Sequence, residues 1–234
     1  VGPNQLAGAT GNLELRSTTG NASMVVNGGL FLTPGALWIS AGSTPHPEGP
    51  TRGGTASLTV AAGGQLAADV ITVAANGDGV VDGSGNGLAG RGGVARMTVT
   101  GSGSRVQSSQ TSIVAIGSGG DRTVGLLGGD ALGGTAELTI DGDSSTLAVL
   151  GNVFVGAGAQ GGDALGENSV SGGAIGGNAV VAISGVAQVG IDSLAIDAAA
   201  ESGTAYSPSG TTAQSAAAPG GTARGRKGGA GLLA

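Results

Sequence analysis

The chain has 234 residues, 52 of them glycine, with four aromatic side chains, no cysteine and a formal net charge of −6. That composition excludes disulfides, thiolate metal sites and cysteine nucleophiles. It disfavours nucleic acid and anionic membranes as partners, and it requires a thin core of Ala, Val, Leu and Ile. Charged residues make up only 10% of the chain and the apolar ones recur periodically, so the glycine excess does not signal disorder. No apolar run reaches the ~18 residues of a membrane-spanning helix, and Val1 reads as a processed or fragment start.

Residues 1–20 predict an N-terminal edge strand or partial coil, with Leu13-Glu-Leu15 as its strand. Residues 21–200 then carry a repeat. Its first element is Ala-x-large-x-β-branched: Ala22-Met24-Val26, Ala56-Leu58-Val60, Ala95-Met97-Val99, Ala136-Leu138-Ile140 and Ala179-Val181-Ile183. Alternation with period 2 predicts strands with one buried face. Glycines follow at Gly28, Gly63, Gly101, Gly103, Gly142 and Gly185, suited to corners with positive φ. A second apolar point comes next at Leu32, Leu66, Val106, Leu147 and Val189. A third element follows as Leu37-Ile39, Ile71-Val73, Val114-Ile116, Val153-Val155 and Leu194-Ile196.

Coils therefore start near residues 22, 56, 95, 136 and 179, in steps of 34, 39, 41 and 43 residues. The lengthening falls in Gly/Ala/Ser/Asp-rich inserts after the third element, near 40–54, 74–93, 117–134, 156–177 and 197–221. The expected fold is all-β: a parallel β-helix (β-solenoid) of about five coils of three short strands, with Gly-rich loops leaving one edge. Asn-Gly pairs at 27–28, 76–77 and 86–87 do not fall regularly between paired strands, which argues against a hairpin-built sandwich. Residues 201–234 form a Gly/Ala-rich C-terminal segment, read as a cap or docking tail. A sixth copy begins at Gly221-Thr-Ala223, and Arg224 is expected at its large inward position, with Arg226 and Lys227 as a charged stop.

Segments such as Gly134-Thr-Ala-Glu-Leu-Thr-Ile-Asp-Gly-Asp-Ser-Ser-Thr-Leu147, and Gly93-Val-Ala-Arg-Met-Thr-Val-Thr-Gly-Ser-Gly-Ser-Arg-Val106, resemble the repeats of bacterial autotransporter passengers. Filamentous-haemagglutinin-like β-helix adhesins carry similar ones. The resemblance covers about residues 12–200. It implies a right-handed β-helix, export to the surface or exterior of a Gram-negative bacterium and a role in adhesion, biofilm or surface layers, without implying a ligand. The long, progressively lengthening inserts depart from the usual pattern.

No catalytic or cofactor-binding residue stands out. His46 is the single histidine, between Pro45 and Pro47, and reads as a stiff surface turn. Asp141 and Asp143 are a carboxylate pair at a corner; paired acids can cleave glycosides, but Asp is also a turn former. Calcium needs several oxygen ligands in one place, and Asp78, Asp82, Asp121, Asp130 and Asp163 of the inserts are the candidates for pooling. Gly83-Ser-Gly-Asn-Gly87 lacks the Lys-Ser/Thr of a phosphate loop. Thr59, Thr98 and Thr139 form an outward ladder in three coils only, and the sequon Asn21-Ala-Ser23 falls within a strand. The expected function is a secreted structural β-solenoid of a surface appendage, filament or biofilm matrix, self-associating end to end or part of a longer stalk. The alternatives are an adhesin whose loop ridge binds polysaccharide or neighbouring cells and, third, a polysaccharide-cleaving enzyme.

Overall fold

The computed structural model describes residues 1–18, 20–42, 51–121, 127–166, 168–206, 216–217, 219–227 and 232–233. His46 lies outside them. Among the described residues the chain is all-β, and every pairing between its strands is parallel. Repeat pairs with repeat in sequence order, a pattern consistent with a β-solenoid.

The first elements build a six-stranded sheet from Asn21–Asn27, Thr55–Ala61, Val94–Thr100, Thr135–Asp141, Asn178–Ile183 and Thr222–Lys227. Its register aligns Ala22, Ala56, Ala95, Ala136, Ala179 and Ala223 in one column. Met24, Leu58, Met97, Leu138 and Val181 form the next inward column, and Val26, Val60, Val99, Ile140 and Ile183 the third. Ala56, Ala95, Ala136, Leu58, Met97 and Val99 are all buried. Burying one large aliphatic side chain contributes about 1.5–3 kcal/mol, and here each is covered only because a repeat lies on either side.

The sixth strand corrects one expectation. Arg224 pairs with Val180, an outward position, and is itself exposed; Gly225 takes the place opposite Val181. The large-residue inward column therefore ends on a residue without a side chain, while the third inward column ends at Lys227.

Corners after the first strand use the expected glycines. Gly28, Gly63, Gly101, Gly103, Gly142 and Gly185 carry φ between 66° and 110°. Behind two of these corners sit fully buried serines that aliphatic patterning overlooks. Ser104 Oγ donates to the Thr100 carbonyl at 2.6 Å, and Ser145 Oγ lies 2.9 Å from the Gly101 carbonyl and 3.0 Å from that of Asp141. A buried carbonyl left unpaired costs ~1–3 kcal/mol.

The second and third elements are not separate short strands in most repeats. They run together as Leu30–Ala41, Gln65–Ala74, Thr146–Gly156 and Gln188–Asp197 within one nine-stranded sheet. Register shifts between Thr33 and Ala36, and between Val149 and Asn152, bend the strand without ending it, as bulges do. Only the third repeat divides, into Arg105–Ser108 and Gln110–Val114. There the third inward pair is Thr111 and Ile113, aligned with Ile71 and Val73, and not the expected Val114 and Ile116. Residues 1–20 contribute two strands, Leu6–Gly8 against Leu30–Leu32 and Leu13–Ser17 against Leu37–Ala41.

The inserts differ most from expectation. They are not loops alone: their outgoing legs pair as Gly77–Asp78, Gly117–Ser118, Ala159–Gln160 and Ala200–Glu201, and their returning legs as Thr51–Arg52, Gly90–Arg91, Ala131–Leu132 and Ala174–Ile175. Between the legs runs a ladder of glycine amides. Gly120 N donates to Leu88 O, Gly129 N to Gly120 O, Gly162 N to Gly129 O, Gly172 N to Gly162 O and Gly203 N to Gly172 O, at 2.8–3.0 Å. A Cβ on Gly129, Gly162 or Gly172 would collide with the backbone of the preceding insert, at the Leu88, Gly120 and Gly129 carbonyls respectively. Glycine permits this close approach, and the amides satisfied this way need no side-chain partner.

Candidate functional site

Each carboxylate singled out in the inserts has a definite place. Asp82 caps a turn, accepting Ser84 N at 2.9 Å and Asn86 N at 2.7 Å. Asp121 accepts Asp163 N at 3.0 Å and Asp163 accepts Thr204 N at 2.6 Å, so equivalent residues of successive inserts form a carboxylate-to-amide ladder. Asp130 accepts Gly173 N at 2.8 Å, and Asp78 lies exposed at the end of its two-residue strand. Among the described residues no three acidic or histidine side chains converge. Asp121, Asp130 and Asp163 join one insert to the next, and the five carboxylates are not gathered around a point.

Asp141 accepts the Ser184 hydroxyl at 2.7 Å, an inter-repeat contact, while Asp143 is exposed at the corner tip. Thr59, Thr98 and Thr139 do stand in register on the outward face of the six-stranded sheet. The column beside them is charged: Arg96 Nε meets Glu137 Oε2 at 2.7 Å. Exposed ion pairs contribute about 0.2–1 kcal/mol, and Glu137 also accepts the Thr139 hydroxyl at 3.3 Å.

The outward face of the nine-stranded sheet holds what sequence reasoning missed. Leu37 and Ile39 face the core and Trp38 faces out, 43% exposed. Parallel register continues that outward column as Glu14, Trp38, Thr72, Ser112, Phe154 and Ala195. Two of the four aromatic side chains thus share one column, Phe31 is buried, and Tyr206 stands on an insert strand. The Phe154 ring lies over Gly156, where any Cβ would strike it. Around Trp38 the surface is concave, lined by Glu14, Arg16, Ser40, Thr72, Asn76 and Asp78. The signal that could have found it is the outward partner of each inward pair, compared across repeats.

No protein-family model, curated protein or solved structure matches the chain. What the coordinates define is a class: an all-β protein of parallel sheets whose successive repeats pair in register.

Proposed function

We propose that the chain is a structural segment of a right-handed parallel β-solenoid, a secreted stalk or filament element of a Gram-negative cell surface that associates through its ends. The observation that carries this reading is the alanine column from Ala22 to Ala223. Six strands add to one sheet in sequence order with a constant register. The strong preference of parallel strand connections for the right hand supports that hand. The edge strands of the sheet, Asn21–Asn27 and Thr222–Lys227, resemble what further repeats or further copies would extend, because an edge strand presents unpaired N–H and C=O groups. At the first edge Val1 occupies part of this row, its amine donating to Val25 O at 2.9 Å and its carbonyl accepting Asn27 N at 2.8 Å.

Electron microscopy of purified protein over a range of concentrations tests the reading. Rods that lengthen with concentration are expected. Monodisperse short particles at the highest concentration would overturn end-to-end association.

A further inference from the structure

We propose that the outward column carrying Trp38 and Phe154 is a binding face for a neutral β-linked oligosaccharide lying along the direction in which the repeats stack. Strands of a sheet lie ~4.8 Å apart. The three steps from Trp38 through Thr72 and Ser112 to Phe154 therefore separate the two rings by about 14 Å, the scale of a short oligosaccharide. A pyranose offers an apolar C–H face and a rim of hydroxyls. The column matches both: aromatic rings at Trp38 and Phe154, and between them Thr72 and Ser112, whose hydroxyls donate and accept.

Three observations favour this occupant. The Phe154 ring leans along its strand over Gly156, where a Cβ would strike it, and it stays partly exposed on the outward face, within reach of a stacking partner. Trp38 stays 43% exposed although its strand neighbours are fully buried. The concave surface around it carries carboxylates at Glu14 and Asp78, the Asn76 amide and the Arg16 guanidinium, a mixed set of acceptors and donors suited to a neutral polyol. The net charge of −6 works against polyanionic glycans and nucleic acids. This face is separate from the inserts, and the proposal does not depend on end-to-end association: a chain that stays monomeric still binds.

Trp38 is the only tryptophan, so its emission reports on the site alone. Purified full chain is titrated with cellohexaose and with chitohexaose, followed by Trp38 emission and by calorimetry. Saturable binding of at least one, with a shift in emission, is expected. Phe154→Ala should weaken that binding about tenfold, in line with the loss of one stacking platform. Trp38→Ala should abolish it, Trp38→Tyr should keep most of it, and Tyr206→Ala on the inserts should leave it unchanged. All three side chains face outward, and an unaltered far-UV spectrum confirms that each variant folds. Unchanged emission and no heat at millimolar concentration of either sugar would overturn the proposal. So would binding that survives the Trp38→Ala, Phe154→Ala double variant.

Discussion

The hydroxyls of Ser108 and Thr111 meet at 2.8 Å inside the core, both nearly inaccessible to solvent. Thr111 stands in a column otherwise formed by Leu13, Leu37, Ile71, Val153 and Leu194. Each hydroxyl is the other's partner, and the pair marks the repeat in which the long strand divides.

That reciprocity sets a double-mutant result. Thr111→Val alone strands the Ser108 hydroxyl in the core, and Ser108→Ala alone strands that of Thr111; each should cost about 1–3 kcal/mol. Together the two changes should be nearly neutral or stabilising, because no polar group is left unpaired. Chemical denaturation of the four proteins of the cycle measures the coupling, and additive losses would show that the hydroxyls act independently.

Glycines should divide sharply by place. A Cβ on Gly134 would run into the Gly93 carbonyl, whereas one on Gly190 meets nothing within 4 Å. Gly134→Ala should destabilise by about 3 kcal/mol or more through forced separation of neighbouring repeats. Gly190→Ala should be neutral or gain about 0.5 kcal/mol by restricting the unfolded chain. Thermal unfolding of the two variants is the comparison.

The inward columns make opposite demands on size. Met97→Ala should cost about 2–5 kcal/mol by opening a cavity. Ala95→Leu, one pair of residues away in the same strand, should cost about 1–3 kcal/mol or more by overpacking, since Ala56 and Ala136 lie directly on either side. Equal tolerance of both changes would mean that the alanine column does not set how closely the two sheets approach.

Asp121 and Asp163 should behave as inter-repeat amide caps and not as calcium ligands. Asp163→Ala removes the acceptor of Thr204 N and should cost about 1 kcal/mol, with Asp163→Asn recovering most of it. Millimolar calcium or a chelator should leave Tm unchanged. A rise in Tm with calcium that Asp163→Asn abolishes would show a metal site instead.

Much of the fold was legible in local patterning. The Ala-x-large-x-β-branched strands fall where alternation puts them, as in Thr55–Ala61 and Val94–Thr100, and the corner glycines carry the positive φ their positions suggested. The errors have one cause. Reading Val114-Ile116 as the third inward pair followed hydrophobicity, but register selects Thr111 and Ile113, and a threonine can be buried once Ser108 answers it. Reading the inserts as loops followed composition, which does not distinguish a flexible glycine from one pressed against a neighbouring backbone.

By itself the sequence determined the strands, their inward faces and the corners, because side-chain alternation and φ preference are properties of a residue and its immediate neighbours. Tertiary structure alone decided which residues of different repeats lie side by side. The glycine ladder from Gly120 to Gly203, the ending of the large-residue inward column on Gly225, and the alignment of Trp38 with Phe154 all arise from hydrogen-bond register between separate segments of the chain. Register is a non-local choice, set by what stacks on what.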